Sequence, residues 1–439
     1  MQNLQLIVGD GLPFRLVQSP NFIALIKGLQ PKLRPMSRES LKKSLYSAFD
    51  TMKKNIVDEL GKVEYVCATA DCWSDGRRAY MGVTAHYLEG PAMERKACAI
   101  ACRRIKGSQN YEVLTNLMCS IFEEFHITYK LSGVVTDNGS NFCKAFRIYT
   151  EGDVSESLAV GAAEEQSEEA QEGVVAGEEG MINLAEAIGD DSAHRLPQHF
   201  RCACHTLNLI AANDSMAALS ATSGQTVLMA AWSRRFKTAY RRVMGTLTKL
   251  WKMQNTSTRM ADKVKEELGR YLLVPNQTRW NSTFDALEVV GTLLRKKKAA
   301  FTRLLAYDNL SLTAEDHTFI MQFVACYRPF AQALDVLQGE EHAYWGYLLP
   351  VLARVRERLE KTLERPGTQL VRPLAKALLA GLEKRFASSW EDKNALIAAA
   401  YVPSFKLGNT TWPWLPAGRR DALRTMLMDE MTEVMQFEF

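Results

Sequence analysis

VEYVCATADCWSDGRRAYMGVTAHYLEG, running from Val63 to Gly90, is the stretch whose reading decides the fold. Val63 to Trp73 and Tyr80 to Leu88 form two strand-like runs separated by a turn that carries Gly76 and two arginines. In the second run Met81, Val83, Ala85 and Tyr87 alternate with Gly82, Thr84 and His86. Such a period of two is what a strand with one core-facing side requires, because successive side chains point to opposite faces. Outward from there, Ala97 to Ile105 reads as a third strand. A helix is expected from about Tyr111 to Phe125, with Leu114, Leu117, Met118, Ile121 and Phe122 on one side. Leu131 to Thr136 makes a fourth strand.

The flanks read differently. Residues 1–60 look helical: Asn21 to Leu29 carries an apolar face, and Ser37 can cap a helix through Leu41, Leu45, Phe49 and Met52. Glu151 to Ala193 holds thirteen acidic residues and no Lys or Arg. Residues 151–196 are poor in aromatics and offer too little apolar surface to offset ordering, so disorder is expected there. Order is expected to resume at His199 with a short strand-like stretch, HFRCACHTLNLI. From about Leu228 the chain reads as nearly all helix, punctuated by prolines such as Pro329 and Pro350. The expected fold is therefore α/β: a ribonuclease-H-like core sheet with a helical N-terminal region and a large all-helical stretch. Its divisions are 1–60, the helical N-terminal region; 61–150, the first part of the core; 151–196, the acidic insert; 197–215, the last core strand with a CysXXHis block; and 216–439, the all-helical stretch and C-terminal region.

Composition bounds the function. At 439 residues and 47% hydrophobic content the chain is globular. It has no apolar run long enough for a bilayer and no signal-peptide pattern, so a soluble intracellular protein without membrane contact is expected. Nine scattered cysteines read as reduced thiols. The net charge of +4 hides an asymmetry: outside Glu151–Ala193, 54 basic residues face 37 acidic ones, a formal +17. That excess suits a polyanionic partner, although ordinary solvated Lys and Arg would produce it too.

Asp71 ends the first strand in CATADCWSDG, and Asp137 ends the fourth in GVVTDNGSN. In the expected sheet those two strands are neighbours, and two carboxylates so close repel one another. A hard cation, Mg²⁺ or Mn²⁺, relieves the repulsion and takes oxygen ligands, so Asp71 and Asp137 are a candidate, weak metal site. Each Asp alone also suits a strand-end turn or a helix cap. Cys202-Ala203-Cys204-His205 resembles half a zinc site, but no second Cys/His pair of suitable spacing follows. Zinc is not expected there, and Cys202 and His205 read as a packing motif. Thr278-Arg279-Trp280-Asn281-Ser282 could pair a phosphate-gripping Arg279 with a base-stacking Trp280, or hold a core Trp beside a capping Arg.

Four blocks, TADCWSDGRRAYMGVTAHYLE, VVTDNGSNFCKAF, HFRCACHTLNLIA and NQTRWNSTFDALE, resemble in order and spacing those of hAT-superfamily transposases. More closely they resemble the vertebrate BED-finger (ZBED-like) proteins derived from them, and the likeness runs from about Leu12 to Leu407. The resemblance implies a ribonuclease-H-like catalytic core that cuts DNA by metal-assisted hydrolysis, and it makes the all-helical stretch a large insertion interrupting that core. It gives Asp71 and Asp137 the first two places of the catalytic triad, Cys202 and His205 the family's CysXXHis, and Trp280 the role of holding a flipped base, with Arg279 beside it. Two features of the family are unmatched. No CysXXCys of a BED finger precedes Asp71, and no acid near the end, Glu340, Glu430 or Glu433 included, fits the motif of the third catalytic Glu. That Glu belongs to the family's dimerisation segment, so the oligomeric state stays open. What the resemblance implies is a domesticated or decayed transposase fragment, nuclear and associated with DNA or chromatin, that does not cut. The alternatives are an active transposase and a protein-interaction scaffold without DNA binding.

Overall fold

The computed structural model describes residues 2–32, 36–91, 93–150, 195–220, 226–276, 280–339, 344–405 and 412–437. It falls into two compact units, Met1–Cys202 and Ala203–Phe439.

The first unit opens with three helices, α1 Gln2–Gly9, α2 Pro20–Leu29 and α3 Arg38–Gly61. The Ser37 hydroxyl accepts from the Ser40 N–H, so the expected cap does start α3. The apolar face read along α3 is only partly buried. Leu41 is enclosed with Ile7 and Val17, and Leu60 joins the sheet core, but Phe49 and Met52 between them are 50% and 52% exposed. The helix meets its own unit mainly toward its two ends, which leaves the middle without cover. Lys130 Nζ donates to the carbonyls of Leu60, Gly61 and Val63, satisfying acceptors that the end of α3 leaves open.

Five strands follow: β1 Val66–Asp75, β2 Arg78–Glu89, β3 Glu94–Ile105, β4 Leu131–Thr136 and β5 His199–Arg201. They form one sheet in the order β3-β2-β1-β4-β5. The first three are antiparallel neighbours; β1–β4 and β4–β5 are parallel. The parallel step from β3 to β4 runs through α4, Tyr111–Glu124, capped by the Asn110 side chain, and α5, Ser140–Tyr149, follows β4. The alternation read in the sequence is the burial pattern: Val66, Ala68 and Ala70 of β1 and Met81, Val83 and Ala85 of β2 face the core. Leu114, Met118, Ile121 and Phe122 of α4 and Phe142, Ala145 and Phe146 of α5 complete it. Each such large side chain, fully buried, contributes about 1.5–3 kcal/mol.

The acidic insert expected to be disordered lies, up to residue 194, outside the described residues. The described chain already belongs to the core ahead of His199: Leu196 is buried in the sheet core and bridges to Thr150. The strand-like reading of HFRCACHTLNLI is corrected beyond Arg201. Ala203–Leu209 is a helix, α6, and Leu207, Ile210 and Ala211 are buried at helical spacing.

The second unit is helical. Its longest member, α8 Val227–Thr256, follows the short α7 Ser215–Ser220 and buries Phe236, Ala239, Val243, Leu247, Leu250 and Gln254 on one stripe. α9 Thr258–Leu268 ends at Gly269, whose φ of 75° a side chain would strain. Then come α10 Trp280–Lys296, α11 Lys298–Ala306 and α12 Ala314–Gln338, the last begun by a capping box between Thr313 and Asp316. Pro329 does not end α12 as proline punctuation suggested; the helix continues through it, held by buried Phe319, Phe323, Tyr327 and Phe330 on either side. α13 Leu348–Glu364 and α14 Arg372–Arg385 pack against this layer, and α15 Ala387–Glu391, α16 Lys393–Tyr401 and α17 Ala417–Phe437 follow.

Candidate functional site

Parallel pairing sets Ala68 opposite Val134 and Ala70 opposite Thr136. Asp71 and Asp137 are the next residues on the two chains. They therefore emerge level with one another at the same ends of adjacent strands. Backbone amides orient both carboxylates: Asp71 Oδ1 accepts from the Cys72 N–H at 2.9 Å, and Asp137 Oδ1 from the Gly139 N–H at 3.0 Å. The Asp137 contact is an Asx turn that leads into α5. Asp71 is exposed and Asp137 half-buried.

Both charges are felt by one thiol. Burial first, and then the Asp137 and Asp71 carboxylates, together push Cys72 up to about 12. Cys72 is thereby held as a neutral thiol between two anions and is no nucleophile at neutral pH.

Behind Asp137 lies a hydrogen-bond relay that sequence reading passed over. The Thr136 hydroxyl donates to the Asp137 carbonyl at 2.8 Å, and its oxygen meets His199 Nε2 at 2.9 Å. With the hydroxyl proton committed to Asp137, the imidazole must donate from Nε2, which settles its tautomer. The ring stacks on Phe146 with centroids 4.3 Å apart. Burial, helped by the Arg201 charge, pushes His199 down to about 4. The sequence signal was faint: a lone His at the start of a three-residue strand.

Gly133 of β4 is dictated by its neighbour. A Cβ there would lie 2.4 Å from the Phe200 ring of β5, so only glycine lets the two strands sit side by side with that ring between them.

The remaining sequence candidates lie elsewhere. The Cys202 N–H donates to the Thr136 carbonyl at 2.7 Å, extending the β4–β5 ladder, and both Cys202 and His205 are half-buried. Among the described residues, no three His, Cys, Asp or Glu side chains gather as a metal site. Trp280 begins α10, half-buried, its ring 4.7 Å from that of Tyr327 and 6.0 Å from that of Phe284. Ser282 closes the loop before it, accepting from the Asn276 N–H and donating to its carbonyl. Arg279 and Glu340 lie outside the described residues, as do the side chains of Glu430 and Glu433.

A Mg²⁺ or Mn²⁺ ion suits what is present in part. Asp71 and Asp137 supply hard oxygen donors at one level, oriented by backbone amides, which is donor chemistry that suits a hard cation. Two carboxylates are a small donor set for the pair of ions that in-line phosphodiester hydrolysis uses.

No family model matches the chain. It is similar to a Zea mays protein named as an AC transposase, 21% identical over 404 residues, covering 90% of this chain and 43% of that protein. A Talaromyces stipitatus protein named as the transcriptional regulator tpeD is 24% identical over 381 residues, 81% of this chain and 40% of its own length. A second Zea mays protein, named as an AC9 transposase, is 20% identical over 427 residues, 90% of this chain and 44% of its own. The chain thus spans less than half the length of these relatives. The chain is therefore distantly similar, over most of its own length, to proteins that bear transposase names. Among the described residues no helix is long and apolar enough to cross a membrane.

Proposed function

We propose that this chain is a DNA-associated, nuclear protein derived from a hAT transposase and lacking strand-cleaving activity of its own. The first unit is read as a ribonuclease-H-like core and the second as the helical insertion, with the four sequence blocks aligned to the ZBED-like branch. The observation that carries this reading is the level placement of Asp71 and Asp137 on neighbouring parallel strands, in a chain whose relatives bear transposase names. In this reading Asp71 and Asp137 would hold a divalent Mg²⁺ or Mn²⁺, which supplies charge neutralisation to a bound phosphodiester. The chain's own contribution is to orient the two carboxylates through the Cys72 and Gly139 amides and to brace Asp137 through Thr136 and His199.

Charge supports a nucleic-acid partner. Helix α8 carries seven basic residues and no acidic one. Arg235 and Arg242 are engaged by Glu315 and Asp316, while Arg234, Arg241, Lys249 and Lys252 are exposed and have no ion pair among the described residues. Trp280 and Arg279 are kept as candidate DNA contacts on the strength of the resemblance. Cysteine 202 and His205 act as packing residues. The test is DNA binding across a salt series, together with a nicking assay in Mg²⁺ and Mn²⁺. Binding should fall steeply with salt because Lys and Arg displace counterions from phosphates. Salt-independent or absent binding overturns the reading, and cleavage lost in Asp71→Asn would make the protein an active enzyme instead.

A further inference from the structure

Asp71 shares its face of the sheet with a second set of residues. Cross-strand register pairs Asp71 with Gly82, Trp73 with Tyr80 and Asp75 with Arg78. On the far side of β2, Gly82 pairs with Cys102 and Tyr80 with Arg104. Side chains two apart on a strand share a face, so Trp73, Tyr80 and Arg104 form a row across three strands, one step beyond the row of Asp71. The Trp73 and Tyr80 rings stack with centroids 5.8 Å apart and planes inclined by 22°. The indole leans over Gly82: a Cβ there would lie 2.9 Å from its Cζ3. Trp73 thus reaches back over the cross-strand partner of Asp71, yet it remains 43% exposed.

Charge surrounds this pair on the side away from the carboxylates. Arg77, Arg78, Arg104 and Lys106 are exposed, and none has an ion pair among the described residues. Asp75 is the acid on that edge. A tryptophan left open on a strand gains little from burial, while an indole face beside unpaired cations is what a stacked base with its phosphates fits.

We propose that Trp73 and Tyr80, with Arg78 and Arg104, form a seat for an unpaired nucleotide next to Asp71 and Asp137, the base lying on the indole and the phosphates on the arginines. The inference rests on the DNA-associated reading of the same site and adds the substrate class: single-stranded nucleic acid in preference to duplex. Trp73 and Tyr80 are positioning residues that bring the strand to the carboxylates; the arginines run the phosphates clear of the Asp71 charge.

The test is fluorescence anisotropy of the full chain with labelled oligothymidine and with a duplex of equal length. Trp73→Leu keeps an apolar cover over Gly82 without an aromatic face; Trp73→Phe keeps both. The Leu variant should lose single-strand affinity by about 5- to 150-fold, the range a stacked base supplies. The Phe variant should stay close to wild type, and duplex binding should change less than single-strand binding. Thermal unfolding of each variant separates lost binding from lost fold. Should the Leu variant prove unstable, Arg104→Ala, which touches no core, is expected to weaken single-strand binding and reduce its salt dependence. If wild type binds DNA but Trp73→Leu and Arg104→Ala bind oligothymidine equally well, the seat is refuted and the DNA reading stands. If wild type binds neither nucleic acid, the DNA reading itself falls and the seat with it.

Discussion

Asp71 and Asp137 each stand one residue beyond the Ala70–Thr136 register pair, so their carboxylates leave adjacent parallel strands at one level, each held by a backbone amide. Because the two anions are brought together by the ladder and not by contact with one another, either can be neutralised without disturbing the sheet. Asp71→Asn and Asp137→Asn are expected to fold as wild type. Titration calorimetry with Mn²⁺ should show weak binding in wild type that either substitution abolishes. Binding that survives in the double variant would place the ion elsewhere.

Gly133→Ala should destabilise the first unit. The added methyl meets the Phe200 ring inside van der Waals contact, and forced repacking of this kind costs about 1–3 kcal/mol. Thermal unfolding should drop by roughly 2–4 °C per kcal/mol for a unit of this size. Gly245→Ala is the control. That residue lies within α8 with nothing near its missing Cβ, so the substitution should stabilise by up to about 1 kcal/mol.

His199 should make the protein acid-sensitive above the usual carboxylate range. Its folded value, about 4, lies below its ordinary 6.5, so the folded state refuses a proton that the unfolded chain accepts. The contribution is complete above pH 6.5 and is lost as pH falls toward 4, by about 3 kcal/mol in all. His199→Gln, which keeps a donor for Thr136 but does not titrate, should flatten that part of the stability profile in urea titrations. An unchanged slope would show that His199 is not the group responsible.

Trp280→Ala is expected to cost stability as well as any DNA contact. The ring packs against Tyr327 and Phe284 at the edge of the helical core, and truncating a packed aromatic costs about 3 kcal/mol. Denaturant unfolding measures this. Trp280→Phe, which retains an apolar ring, should recover most of the stability. A fully stable Trp280→Ala with weakened DNA binding would return Trp280 to a contact role alone.

Much of the first unit was legible in the sequence. The alternation of Met81, Val83, Ala85 and Tyr87, the Ser37 cap and the apolar stripe of α4 are all short-range patterns. A single turn or pleat decides them, because 3.6- and 2-residue periods are local properties of the backbone. Local pattern misled where partners are distant. Residues after Arg201 look strand-like but bury Leu207, Ile210 and Ala211 as a helix, and Pro329 sits inside α12 because the surrounding aromatics hold the helix together.

For the candidate site, the sequence by itself determined that two aspartates follow strand-forming runs and that a Trp lies two residues beyond the first. The strand order already suggested that β1 and β4 are neighbours, but only the tertiary structure decided the parallel register that sets Asp71 level with Asp137. It alone decided that Gly133 must be bare because Phe200 lies over it, that His199 is neutral behind Thr136, and that Trp73 stacks on Tyr80 across a strand pair while Trp280 packs on Tyr327. The reason is that register and burial are made by residues tens of positions apart. Hydrophobic periodicity says which face of an element turns inward, but not which element it will meet there.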